Sequence, residues 1–192
     1  MKTVLGDIRR ADEDFEMIAP GDRVAVGVSG GKDSLLLLYA LSLYRKFEHK
    51  NFELRGIMLD MGFEAFDASP VMRWCKELNI PFDVIQTDIA KVVFDLRKEN
   101  NPCSLCAKMR RGALNDAAKR LGCNKVALGH HREDAIETLM MSLIFEGRLH
   151  TFHPNMFLRG ADVTVIRPMV YVPEKHVIHV ARRLNLPVVH NP

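Results

Sequence analysis

Several features are scarce in this chain, and each absence removes a class of protein. No apolar run is long enough to span a bilayer. The first ten residues are charged but lack the apolar stretch of a secretion signal. No membrane association is therefore expected, and the chain reads as cytoplasmic. Cysteine occurs four times, at 75, 103, 106 and 123, and without an export signal a disulfide framework is not expected. The net charge is only +3, too small on its own to argue for a polyanionic partner. Repeats, low-complexity tracts and a zinc-ribbon-like RNA module are all missing. So is the spacing G-x-x-x-x-G-K-[ST], which removes the kinase and GTPase class of phosphate loop.

What is present is 192 residues of ordinary globular composition, 47% hydrophobic and 27% charged, enough for one three-layer domain. Strand-like and helix-like segments alternate, which predicts an α/β fold, doubly wound, with a mainly parallel sheet and helices on both faces. Residues 1–20 read as a leading segment with an amphipathic helix from Asp7 to Ile18. Strands are expected at 24–28, 54–59, 82–86, 125–128 and 163–166. Helices are expected at 33–47, 69–78 (Ser69 as N-cap and Pro70 at N1), 89–97, from the second half of "ENNPCSLCAKMRRG" to Leu121, 132–145, and from Pro173 to about Leu184. The stretch 146–161 reads as long and irregular, a functional loop or a partly ordered lid. The chain stops at "HNP" without the look of a natural terminus, and further C-terminal residues are expected.

The first strand breaks into "SGGKDS". Gly30 and Gly31 let the backbone approach an anion, and the following helix offers free N–H groups and its positive end. Lys32 adds a charge, Asp33 follows it, and Ser29 and Ser34 add hydroxyls. "CSLC" places Cys103 and Cys106 where two thiolates can grip one metal ion or one corner of a cluster, or form a redox dithiol. Cys75 and Cys123 read as small core residues. "GHHRED" follows a strand, so Gly129, His130 and His131 fall at the carboxyl edge, where α/β folds bind ligands. A structural role for the histidines stays open. Asp134 is a candidate magnesium ligand alongside nucleotide oxygens. Asp60 closes the second strand, as a nucleotide contact or a strand-end cap, and Arg167 is a phosphate contact or an ordinary salt-bridge partner. Lys108, Arg110 and Arg111 are either a solvated helix face or an RNA-backbone contact.

"SGGKDS", "PCSLCAKMRRGAL", "ALGHHREDAIETL" and "VIRPMVYVPEKHV", in this order, resemble the PP-loop ATP pyrophosphatases, in the tRNA 2-thiocytidine synthetase branch. The resemblance runs from about Gly21 to the end. It implies one PP-loop ATP-binding sulfurtransferase domain over 1–192 that adenylates a cytosine carbonyl oxygen in the tRNA anticodon region and replaces it with sulfur. The cofactors implied are ATP, Mg²⁺ and a [4Fe–4S] cluster on Cys103, Cys106 and a later cysteine expected just past "LPVVHNP". Lys32 and Asp33 are implied in catalysis with the two cysteines. A cysteine desulfurase is implied as sulfur donor, and a homodimer as the assembly. The family more often carries Asp-Asp where this chain has Glu133-Asp134, which leaves Asp134 as the metal candidate. The rival readings are a PP-loop ligase of the lysidine or amidotransferase kind, a nucleotide-binding module without chemistry, and a sulfurtransferase for another RNA or small molecule.

Overall fold

In the computed structural model, residues 1–47, 50–63, 66–97 and 102–189 are described. His49, residues 99–101 of the predicted interruption and the "HNP" end lie outside them. Six strands among the described residues form one sheet: β1 (Arg23–Gly27), β2 (Glu53–Asp60), β3 (Phe82–Gln86), β4 (Lys125–Ala127), β5 (Asn155–Leu158) and β6 (Val163–Ile166). Their order is β3-β2-β1-β4-β6-β5. All neighbours pair in parallel except β5 with β6. The chain winds outward from β1 to β3, then returns to place β4 on the free side of β1. That reversal opens a crevice at the carboxyl ends of β1 and β4, the position where such sheets take ligands.

The helices are α1 (Lys2–Phe15), α2 (Lys32–Phe47), α3 (Ser69–Glu77), α4 (Pro102–Arg120), α5 (Arg132–Met141) and α6 (Glu174–Arg183). Strand β1 shows why both faces are covered: Val24 and Val26 enter the core beside α1, α2, α3 and α6, while Ala25 enters a second core with Leu114, Ala117 and Ala118 of α4. Strands buried on both faces read as near-continuous apolar runs, which made them visible in the sequence.

Several boundaries differ from expectation. Helix α1 starts at Lys2 rather than Asp7, because Val4, Ile8 and Ala11 form one buried stripe. Helix α3 takes Ala68 as N-cap, and Asp67 accepts the Ser69 amide at 2.8 Å. Helix α4 begins at Pro102 and includes Cys103 in its first turn. Two predicted α-helical stretches widen into π-helical turns, Lys91–Arg97 and Ser142–Glu146. The predicted irregular stretch 146–161 contains β5, a correction: four residues are too few to show a period, and pairing with β6 supplies the order.

The leading helix is anchored by a buried carboxylate. Asp12 Oδ1 accepts the Ile18 amide at 2.8 Å. Its Oδ2 accepts the Tyr44 hydroxyl at 2.7 Å and pairs with Lys50 Nζ at 2.8 Å. Tyr44→Phe removes one donor from a buried charge. The expected cost is about 1–3 kcal/mol, read as a fall in Tm of roughly 3–10 °C by thermal denaturation.

Candidate nucleotide-binding and sulfur-transfer site

Residues 28–34 turn the chain from β1 into α2. Gly30 has φ +90°, and a Cβ there would lie 2.6 Å from Val189 Cγ2 and 2.8 Å from Val189 O, so only glycine fits. The Val189 amide donates to Gly30 O at 3.1 Å, turning that carbonyl toward the segment after α6. Ser34 Oγ donates to Gly31 O at 3.0 Å and lies 3.2 Å from Ser29 Oγ. The Ser29 amide donates to Ser34 Oγ at 3.1 Å. Both hydroxyls therefore brace the loop itself.

The β4 turn closes against this loop. A Cβ on Gly129 would sit 3.0 Å from Asp33 C and Ser34 N. Between the two turns lies a cleft of about 410 Å³, in the range of small-ligand sites. Its floor is apolar, from Ile57, Leu59, Met61 and Leu128, and Ser29, Asp33, Ser34, His130 and Asp134 stand at its edge. Helix α4 forms the remaining wall through Ala107, Arg110, Arg111 and Leu114, which recur at helical spacing on one face. Cys106 is one residue before this face and Cys103 one turn earlier; Arg110 Nη2 lies 3.8 Å from Cys106 Sγ.

Three helices, α2, α5 and α6, begin at this edge. His131 is the N-cap of α5, and its amide donates to Asp134 Oδ2 at 2.6 Å. Glu133 Oε2 accepts the Glu174 amide at 2.7 Å, capping α6. Buried His131 lies within 4.0 Å of Asp33, Glu133, Asp134 and Glu174 carboxylates. Burial lowers the His130 pKa, and the Arg167 charge adds to this; His130 is therefore neutral at neutral pH.

A family model described as a PP-loop domain matches residues 7–192. The chain belongs to the PP-loop family. Within it, the chain is 40% identical over 183 residues to the tRNA-cytidine(32) 2-sulfurtransferase of Citrifermentans bemidjiense, covering 95% of this chain and 72% of that protein. It is 39% identical over 189 residues to the enzyme of the same name from Geobacter sulfurreducens, covering 98% of this chain and 74% of the relative. Among solved structures it is similar to the U34-tRNA thiolase NcsA of Methanococcus maripaludis with its [4Fe-4S] cluster. The TM-score is 0.77 at 28% identity, over 97% of this chain and 65% of the thiolase. An NH3-dependent NAD synthetase from Campylobacter jejuni shares the fold alone, with TM-score 0.58 and 16% identity over 96% of this chain and 73% of that one.

In this PP-loop chain the sequence-predicted residues divide into two groups. Ser29, Gly30, Gly31, Lys32, Asp33, Ser34, Gly129, His130 and Asp134 gather at one edge. Asp60 and Arg167 do not line the cleft, and neither do Gly30, Gly31, Lys32, Cys103 or Cys106. Asp60 Oδ1 accepts the Gly62 amide at 2.9 Å as a strand-end cap. Arg167 is buried over the Phe152 ring and donates to His153 O at 2.6 Å. The apolar floor and Glu174 escaped the sequence reading; an acid directly after Pro173, at a helix start, was the available signal for Glu174.

The residues fit the implied groups in part. His130 lines the cleft, and its buried Nδ1 has no hydrogen-bond partner among the described residues. Asp134 reaches the cleft, but no cluster of three or more metal-binding side chains occurs among the described residues. Magnesium there would take most of its shell from ATP oxygens and water. Cys103 and Cys106 suit two corners of an iron–sulfur cluster. Cys123 lies at the opposite edge of the sheet with Arg23 and Arg55, and Cys75 is buried on α3, so neither can complete the set.

Exposure sets the reactivity of the four thiols. Burial pushes Cys75 up to about 12 and also raises Cys123, whereas Cys103 is exposed. In cluster-free protein at about pH 8, iodoacetamide should label Cys103 first, and Cys75 and Cys123 only after denaturation. Peptide mass spectrometry reads the order, and early labelling of Cys75 would contradict the packing of α3.

Proposed function

We infer that this chain is an ATP-dependent tRNA sulfurtransferase that adenylates a cytosine carbonyl oxygen and exchanges it for sulfur. The observation that carries the reading is the placement of the PP-loop and the Cys103–Cys106 helix on two walls of one cleft. A loop that held phosphate for transfer has no need of thiols beside it.

The residues suggest the order of events. The PP-loop, with the start of α2 and Lys32, binds the pyrophosphate half of ATP. The apolar floor of Ile57, Leu59 and Met61 suits the adenine ring. The base O2 attacks the α-phosphorus; an O–P bond forms, the α–β bridge breaks, and pyrophosphate takes the electron pair. Developing charge on the leaving group is met by Lys32 and the loop amides. The oxygen has then become part of AMP, a good leaving group. Hydrosulfide-level sulfur adds at C2 and AMP departs with the original oxygen. A [4Fe–4S] cluster held by Cys103, Cys106 and a third thiol would supply one iron with an open position, a carrier for that sulfur. Arg110 and Arg111 line the cleft, where they suit a phosphate of the RNA backbone or the adenylate. The base must leave its stack to enter.

The finer reading is a cytosine of the tRNA anticodon region as target, a cysteine desulfurase as sulfur source with a thiol reductant bringing its persulfide sulfur to the hydrosulfide level, a cytoplasmic setting and a homodimer. No helix among the described residues is long and apolar enough to cross a membrane. Support for the homodimer comes from α5 and the turn after it, which expose Met141 (60%), Ile144 (67%), Phe145 (79%) and Leu149 (82%), an apolar band of the kind protein partners cover.

The deciding assay is pyrophosphate release that requires both ATP and tRNA, with 2-thiocytidine appearing in digested tRNA. Tight ATP binding with no turnover would refute the reading. Lys32→Ala should lower the ATP-dependent rate about 10²-fold while leaving the 400 nm region absorbance of an anaerobic preparation (roughly, for iron–sulfur proteins) unchanged. Cys103→Ser and Cys106→Ser should each bleach that absorbance and abolish sulfur insertion with ATP binding intact. Sulfur insertion surviving in either variant would remove the thiols from the mechanism.

A further inference from the structure

Lys32 is the residue expected to meet the pyrophosphate, yet carboxylates hold it. Its Nζ lies 3.1 Å from Asp33 Oδ1 and 3.2 Å from Glu174 Oε1, and it is not among the residues lining the cleft. Burial works against its charge, but Asp33 and Glu174 outweigh this and hold the ammonium above the ordinary lysine value.

Glu174 is built to be there. It is the first residue of α6, after Pro173 with φ −65°, a value the pyrrolidine ring fixes. Its backbone amide is tied to Glu133 Oε2 at 2.7 Å. The other carboxylates at this edge have further duties. Glu133 caps α6, Asp134 caps α5, and Asp33 belongs to the PP-loop. Among the described residues the Glu174 side chain meets only cations or a potential cation: Lys32, and His131 Nε2 at 3.9 Å. The pair is partly open to water, 34% for Lys32 and 41% for Glu174. An ion pair that exposed contributes little to folding, which leaves its placement to be explained by something other than stability.

We propose that Glu174 is the exchange partner of Lys32. It holds the ammonium between turnovers, yields it to the pyrophosphate of ATP, and takes it back as pyrophosphate leaves. The proposal rests on the reading that the PP-loop binds that pyrophosphate. Lysine suits the exchange because its charge sits on a flexible four-carbon stem. A polyanion held by a lysine and a helix start leaves slowly. A tethered carboxylate beside the same ammonium competes for it at high effective concentration and speeds departure. No atom is transferred; only the partner of one ammonium changes. Glu174 is thus a positioning residue that acts on phosphate through Lys32.

The test is pyrophosphate binding by titration calorimetry, with ATP kinetics alongside, on the wild-type chain, Glu174→Gln, Glu174→Asp, Lys32→Ala and Lys32→Ala/Glu174→Gln. Glu174→Gln should bind pyrophosphate about 3–5-fold tighter and lower the KM for ATP by a similar factor. Its kcat should fall, because product release slows. Glu174→Asp should stay within about twofold of wild type, and in the Lys32→Ala background the Gln substitution should change affinity by less than about twofold. Should Glu174→Gln fail to fold, Glu174→Ser, a residue tolerated at helix starts, carries the same expectation. Unchanged or weaker pyrophosphate binding by a folded Glu174 variant overturns the exchange, as does an equal gain with and without Lys32. Wild-type binding with no gain in the variant sinks the exchange alone. Absence of pyrophosphate binding by the wild-type chain overturns the phosphate site and the exchange together.

Discussion

The contact between Gly129 and the Asp33–Ser34 peptide governs the geometry of the whole carboxyl edge. The space there is tight for any side chain: even a Cβ would stand 3.0 Å from backbone atoms of α2, which would have to give way. Because β1 and β4 are direct neighbours in the sheet, their two following turns must pass one another, and glycine on the β4 side lets them pass in contact. The PP-loop on one turn and His130 and Asp134 on the other then face a single cleft. A larger residue at 129 would push the two turns apart by tenths of an ångström or more.

Charge at this edge follows from the same convergence. Three helices start there, and each leaves unpaired amides and a positive dipole end. Two of these starts are met by side chains within the chain, with Asp134 on the His131 amide and Glu133 on the Glu174 amide. At the start of α2 the serines tie the loop to itself, and Asp33 supplies the carboxylate of the first turn. All three helix starts thus carry an acidic side chain in or beside their first turn, Asp33 for α2 among them.

Most of the fold was legible because doubly buried strands announce themselves as apolar runs, and glycines mark the turns that follow them. The parallel strands were read within two residues of their observed ends. Strand β5 was not legible, since an edge strand of four residues takes its order from its neighbour rather than from its own composition. At the site, residue types at a sheet edge were legible but their directions were not. Asp60 and Arg167 carry suitable chemistry and sit after suitable strands, yet one turns back to cap its own strand and the other packs on Phe152. The pairing of Lys32 with Glu174 joins residues far apart in sequence, and no local pattern reports it. The role of Glu133 is visible only in three dimensions: its side chain reaches the first amide of α6.

The hydrogen bond from the Val189 amide to Gly30 O has a consequence for the order in which the protein becomes competent. A ribosome makes the PP-loop well before the residue that braces it. At about 5–20 residues per second, the loop waits roughly ten to thirty seconds for the residue that fixes its carbonyl. The strands flanking the loop can pair before then, but the anion cradle takes its finished shape only when Val189 arrives. The finished shape of the nucleotide site therefore waits on a residue far from the loop in sequence.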